Sequence, residues 1–296
     1  RSTLNKVRSA STFNKKTLNN FFLKPNFTYS NDFFKAKLGA NVASSDDVFS
    51  FFPDLELSAN VIGSVLTIFA GAEGGLYKNN FRSLTDYNPF LQSSVRIQNT
   101  RYNRYYVGAK GNIQGITYQG EFNYKGTEDL ALFQARRSNG TTIIESSPEG
   151  AELYKFRALY DDVNILNVKG SVELDIAEFK VSGTVNYNIY NMTNEEKPWH
   201  LPALEVNAGV QYTTLEDKLQ VKGELFIQNG VPFINNDNIA DNLNGLLDIN
   251  LSAEYFFSDN FGGFINLYNI ANNKRERWFR YPTYGLNALA GITLRF

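Results

Sequence analysis

The chain has 296 residues with 29 basic and 30 acidic side chains, one His, one Met and no Cys. The resulting charge of -1 offers no field for nucleic acid, and the missing cysteines exclude disulfide frameworks, thiol nucleophiles and thiolate metal sites, as the single His excludes paired-His chemistry. Mean hydropathy is -0.33, and no run approaches the roughly 18 apolar residues of a membrane helix. Aromatics reach 15%, with 24 Phe and 17 Tyr against 8 Pro, which favours long strands over helix or disorder. All-β barrels run long as one domain, so 1–296 is read as a single barrel domain. The chain opens at Arg1 with no initiator Met and no signal peptide, so segments upstream lie outside the reading.

In chain order, about fourteen alternating segments read as strands, near 3–12, 20–30, 33–43, 54–62, 65–78, 101–112, 115–126, 160–176, 179–190, 203–213, 218–228, 246–257, 261–270 and 284–296. Three show the period of two most plainly. FKVSGTVNYNI sets Phe179, Val181, Val185 and Ile189 against Lys180, Ser182, Thr184 and Asn186. LQVKGELFIQ and LLDINLSAEYFF repeat the pattern through Leu219 to Gln228 and Leu247 to Phe257. The first segment alternates weakly and is included because bacterial outer-membrane barrels have even strand numbers. Residues 131–159 read as strand extensions beyond the membrane rather than new spans.

Connections alternate in length. Short turns fall at Asn31-Asp32, Gly63-Ser64, Asn112 to Gly115, Ala177-Glu178, Leu215 to Lys218 and Asp259-Asn260. Long loops fall at 44–53, 79–100, 127–159, 191–202, 229–245 and 271–283. That asymmetry predicts a transmembrane antiparallel up-and-down β-barrel with short periplasmic turns and long extracellular loops. A soluble sandwich or propeller is the alternative; strands of roughly 9 to 11 residues and the absence of a blade repeat weigh against it.

FINLYNIANNKRERWFRYPTYGLNALAGITLRF (264–296) carries an NLxN element at Asn266 to Asn269, WxxYP at Trp278 to Pro282, Gly285 and the terminal Phe296. It resembles the closing strands of TonB-dependent receptors of the Bacteroidota. FFPDLELSANVIGSVLTIFAGAEGGLYKNNFRSLTDYNPFL (51–91) and DDVNILNVKGSVEL (161–174) are similar to shorter Bacteroidota barrels labelled TonB-dependent receptor by homology. TonB-dependent transporters use 22 strands around a plug. About fourteen strands fill this chain, leaving no room for a plug, so the resemblance implies a plug-less, shorter barrel and shared ancestry rather than energised uptake. It also implies that Phe296 is the terminal aromatic read by the barrel-assembly machinery.

Candidate chemistry is sparse. His200, in EKPWHLP, reads as a loop histidine stiffened by Pro198 and Pro202, since a barrel protease or phospholipase needs His beside Asp, Ser or Asn on the wall. NNDNIADN (235–242), with Asp237 and Asp241, is a weak candidate for a Ca²⁺ loop and reads better as solvated surface. Asn88-Pro89-Phe90 either turns the loop or folds inward as a constriction. Trp199, Trp278, Tyr281 and Tyr284 beside strand ends are expected to anchor at the lipid headgroups. No catalytic residue, cofactor or metal site is expected.

Alternation points Lys24, Lys35, Lys37, Arg104, Lys110, Lys125, Lys169, Lys180, Lys222 and Arg295 into the lumen. It points Glu56, Glu73, Glu121, Glu173, Asp175, Glu205, Glu224, Asp248 and Glu254 there too. Ten cations against nine carboxylates favour a cross-linked interior over an ion-selective pore, whose rings skew to one sign. The leading expectation is therefore a non-catalytic accessory or scaffold subunit in the outer membrane of a Gram-negative bacterium, contacting lipid and other outer-membrane proteins or lipoproteins. The resemblance suggests barrel-assembly or surface-lipoprotein export machinery. The alternatives are a passive porin-like channel and, disfavoured by the strand count, a TonB-dependent transporter fragment.

Overall fold

The computed structural model describes residues 2–9, 12–45, 48–137 and 154–295. Its wall is one antiparallel sheet. The first strands are β1 (Ser2–Ser9), β2 (Thr12–Leu23), β3 (Asn26–Ser30), β4 (Phe34–Ser45), β5 (Val48–Ile62), β6 (Leu66–Tyr77) and β7 (Thr100–Ile113). There follow β8 (Ile116–Arg137), β9 (Tyr154–Ile176), β10 (Phe179–Met192), β11 (Leu204–Thr214), β12 (Leu219–Asn229), β15 (Leu246–Phe256), β16 (Phe261–Tyr268) and β19 (Asn287–Leu294). Between them, the loops carry α1 (Phe81–Tyr87), the hairpin β13 (Pro232–Ile234) and β14 (Ala240–Asn242), and the hairpin β17 (Glu276–Trp278) and β18 (Tyr281–Pro282).

The wall order is β1-β2-β4-β5-β6-β7-β8-β9-β10-β11-β12-β15-β16-β19, fourteen positions that follow the chain, as an up-and-down barrel requires. β2 and β3 occupy one position, broken at Pro25, which has no N–H to donate to the ladder; both pair with β4. β1 and β19 are the two ends of this order, and no pairing joins them among the described residues.

Register decides which side chain meets lipid. On β7 to β10 the outward stretches Tyr105–Ile113, Ile116–Tyr124, Leu166–Ile176 and Phe179–Ile189 run nine, nine, eleven and eleven residues, the length that a tilted strand needs to cross a bilayer. Asn103, Asn164 and Asn191 are the next outward residues on the loop side of β7, β9 and β10 and mark where the apolar band stops. Within it Val107, Val168 and Ile265 are 53%, 49% and 47% exposed, which in water would be an aggregation hazard and in a bilayer is lipid contact. Tyr29 and Phe34, Phe179 and Tyr212, and Tyr255, Phe257 and Phe261 pair near the turn side.

One loop expectation changes and one holds. In 44–53, expected as a long loop, residues 44–45 extend β4 and 48–53 extend β5 instead, because Ser45 pairs with Val48 and Ser44 with Phe49, so that the ladder satisfies the backbone. In 127–159, as expected, residues 127–137 extend β8 and 154–159 extend β9, while 138–153 lie outside the described residues; a bulge falls between Thr127 and Leu130, where Asp129 takes a φ of 55°. The bulge shifts the facing of the extension relative to the wall, so Ala131, Phe133 and Ala135 share a face with Phe156 and Ala158.

Candidate functional site

Cross-strand pairing brings the charged residues expected in the lumen onto one face of the wall. Arg104 on β7 sits between Glu73 on β6, at 2.7 Å, and Glu121 on β8. From Glu121 the contacts continue sideways: Asn123 Nδ2 donates to Glu121 and to Asn167 Oδ1, and Asn167 Nδ2 donates to Asn186 and Asn188 Oδ1. A polar belt thus crosses β6 to β10. Lys37 reaches Asp54 at 2.7 Å, a partner that the sequence reading left out; the Tyr106 hydroxyl donates to Glu56 at 3.2 Å.

Farther round, Lys180 faces Asp175 at 3.4 Å and Lys222 meets Glu224. Gln228 donates to Glu205, and Thr293 donates to Glu254. Lys110 lies over Phe69, Lys125 over the stacked Tyr77 and Tyr102, and Arg295 over Phe256. Lys169 is exposed beside this belt, opposite Glu121 on β8 and Asn186 on β10, while Lys24, next to Pro25, and Lys35, opposite Ser30 and Ser58 near the Asn31-Asp32 turn, are also exposed. Glu173, Lys180, Lys222 and Glu224 line a lumen cavity of about 460 Å³, with Ser182, Thr184 and Gln211. Asp248 contributes one buried carboxylate oxygen without a partner among the described residues.

The loops hold the second feature. Leu84, Leu91, Val95, Ile97, Phe133, Phe156, Val231, Phe233, Leu243, Trp278 and Phe279 form one buried apolar cluster. Its members come from the β6–β7 loop, the β8 and β9 extensions, the β12–β15 loop and the β16–β19 loop. The β6–β7 and β16–β19 connections stand eight positions apart in a fourteen-position wall, on opposite sides. Side chains from both, such as Tyr87 against Trp278 at 5.7 Å, meet only by crossing the mouth. Backbone bonds fix the crossing: Phe156 N–H donates to Phe90 O, Gln92 N–H to Phe156 O, Phe133 N–H to Trp199 O and His200 N–H to Pro232 O.

Local chemistry explains the shape of each loop. Asn80 caps α1 by accepting from Ser83 N–H at its side chain while its own backbone N–H donates to Ser83 Oγ, a reciprocal cap that starts a seven-residue helix. Asp161, 2% exposed, accepts from the backbone N–H groups of Asp162, Asn194 and Glu195 and from Asn194 Nδ2, and so gathers the β10–β11 loop over the mouth. Glu195 in turn accepts from Trp199 Nε1 at 2.8 Å.

His200 is buried at 3% exposure, with a φ of 59°. Its Nδ1 is 2.6 Å from Phe133 O and donates there as the neutral ring, which stacks on Trp278 and meets Phe156 edge-on. Burial pushes its pKa down to about 4. Burial likewise pushes Tyr87, whose hydroxyl lies 3.5 Å from His200 O, up to about 12. These are packing roles; the reading of His200 as a loop histidine missed that the loop is buried.

The aromatic anchors need correction. Trp199 and Trp278, at 2% and 6% exposure, are buried rather than set at a headgroup plane: Trp278 lies inside the loop cluster, and Trp199 is held beside it by its bond to Glu195 and by Phe133 N–H donating to its carbonyl, because the loops fold inward. Tyr281 packs against the same cluster, stacked on Phe90, so Asn88-Pro89-Phe90 does turn inward, with Asn88 fully buried and accepting from Phe90 N. Tyr284 is 89% exposed. Phe296 lies outside the described residues. In 235–242, Asn235 accepts from the backbone of Asp237 and Ile239 as a turn, both aspartates are exposed, and no metal-holding group of acidic or His residues occurs among the described residues.

No family model matches the chain, and no curated protein matches it. Solved structures do. The pyoverdine outer-membrane receptor FpvA from Pseudomonas aeruginosa, bound to pyoverdine, superposes with a TM-score of 0.65 at 13% identity, over 98% of this chain and 44% of that one. The fold is that of TonB-dependent outer-membrane receptor barrels. The FrpB iron transporter from Neisseria meningitidis gives 0.66 at 10% identity over 97% and 47%, and the copper transporter OprC gives 0.66 at 12% over 96% and 50%. The chain spans half or less of the length of these structures, and at such identities the likeness is one of fold.

Proposed function

We propose that this barrel sits in the outer membrane of a Gram-negative bacterium as a non-catalytic accessory or scaffold subunit, presenting a folded extracellular cap rather than an open pore. The observation that carries this reading is the apolar cluster built by loops from opposite sides of the wall, with Trp278 packed on Tyr87, Phe133 and Phe156 across the mouth. Mobile, solvated loops would keep Trp and Phe out of such a cluster, since unfolded loops recover no burial for the entropy of ordering them. The paired lumen supports the same reading: each of Arg104, Lys37, Lys180 and Lys222 has a carboxylate within reach, so the interior carries little net field to draw one sign of ion. A rigid platform of this kind suits protein partners, and barrel-assembly or lipoprotein-export machinery are the classes to look for.

A passive channel is the second reading, favoured by the lumen cavity beside Lys180 and Lys222. The test is purification from native membranes in mild detergent, native mass measurement and peptide identification of what accompanies the chain, then planar-bilayer recording. Stoichiometric partners and silent bilayers are expected. A chain that runs alone and conducts steadily, with conductance altered by Lys180→Glu, overturns the scaffold reading.

A further inference from the structure

The outer, lipid-facing side of β4 to β8 is dented. Two cross-strand rows line the dent: Leu38, Leu55, Ala72, Tyr105 and Tyr124 in one, and Ala36, Leu57, Ala70, Val107 and Phe122 in the next toward the turn side. Ala70 and Ala72 on β6 stand between taller side chains on both flanks, which leaves an apolar groove of about 700 Å³, within the roughly 300–1,000 Å³ of small-molecule sites.

A second, polar pocket of about 310 Å³ adjoins the groove toward the loop side and shares Tyr105 and Tyr124 with it. It is lined by Arg101, Asn103, Glu128, Asp162 and Asn164. Arg101 is held 3.3 Å from Glu128, the Tyr124 hydroxyl donates to Asn164 Oδ1 at 2.7 Å, and Asp162 Oδ1 accepts from Asp129 N. The two tyrosines stand where apolar wall gives way to Asn103 and Asn164, the level at which amphipathic rings meet headgroups.

We infer that groove and pocket together form a binding site for one phospholipid with a zwitterionic, primary-amine headgroup. An acyl chain lies along the β6 trough. Above it the phosphate meets Arg101, whose planar fork suits phosphate oxygens, and the ammonium meets Glu128 and Asp162. Charge complementarity decides the headgroup: among the lining residues one guanidinium faces two carboxylates, so a lipid carrying phosphate alone meets net repulsion, whereas one carrying phosphate and ammonium is matched at both charges. The site is independent of whether the cap is a scaffold or a gate.

The test is native mass spectrometry of the detergent-purified full chain, titrated with phosphatidylethanolamine or phosphatidylglycerol of the same acyl composition. One retained phosphatidylethanolamine is expected, favoured about tenfold over phosphatidylglycerol. Ala72→Phe, which fills the trough, lowers retention of both lipids by about tenfold, and Glu128→Gln with Asp162→Asn turns the preference toward phosphatidylglycerol. Heat-modifiable gel migration establishes that each variant is folded. Equal retention of the two lipids by the wild type, retention unchanged in folded Ala72→Phe, or a dimer of this chain that Ala72→Phe dissociates would each overturn the inference.

Discussion

Trp278→Ala tests whether the loop cap is a cooperative folded unit. Trp278 is 6% exposed and packs on Tyr87 at 5.7 Å, Phe133 at 5.8 Å, Phe156 at 5.3 Å and His200 at 5.3 Å. Truncating a buried Trp costs about 3–5 kcal/mol, and the four ring contacts place this site in the upper part of that range. None of the four partners belongs to the membrane-spanning stretch, so the loss falls on opening of the cap and leaves the wall alone. At about 1.4 kcal/mol per tenfold, the open population rises by roughly three to almost four orders of magnitude. Amide hydrogen exchange in detergent reads this directly. Segments 84–97, 131–135 and 231–243 are expected to lose protection together, while 166–174 in the wall keeps its wild-type protection and heat-modifiable migration persists. Loss of protection in 84–97 alone, or equal loss in 166–174, refutes the idea that loops from opposite sides of the mouth form one unit.

The pH dependence of the same protection reports on His200. Its folded pKa, about 4, lies below its ordinary 6.5, so the unfolded loop binds the proton first and cap stability is complete above about 6.5, falling as pH drops toward 4; at pH 5 the loss is about 2 kcal/mol. His200→Asn, which tolerates the positive φ, is expected to flatten that profile, and a profile unchanged by the substitution counts against the assignment. In the lumen, Arg104→Met strands Glu121, whose side chain is 8% exposed; with the Glu73 arm partly solvated, about 2–3 kcal/mol of stability against urea in lipid vesicles is expected to go. Adding Glu121→Gln is expected to restore more than half of it, and a double variant no more stable than the single one overturns the pairing.

How much was legible before folding follows from the distance over which each signal acts. Period-two alternation is local, so Phe179 to Ile189 declared both its strand and its outward face, and the same rule marked the wall strands other than the first, whose weak alternation left it to the even strand number, and set Arg104, Lys180 and Glu224 on the face opposite the apolar one. Turn chemistry is local too, which is why Ala177-Glu178 and Leu215 to Lys218 stood out. The partner of a lumen charge is not local in the same way. Lys37 finds Asp54 because β4 and β5 pair with Gly39 opposite Asp54, a register set by the whole ladder.

The loops carried a signal that position misread. Apolar residues in Val231 to Ile234, Trp199 and Trp278-Phe279 are too many for solvated loops, and could have pointed to a buried cluster; beside strand ends they read equally well as headgroup anchors. Sequence alone determined the alternating strands and the short turns between them, because each depends on neighbours one or two residues away. Only the tertiary structure decided that Tyr87 and Trp278, nearly two hundred residues apart and eight wall positions round the barrel, meet over the mouth, because that contact exists only once the wall has brought its opposite sides together.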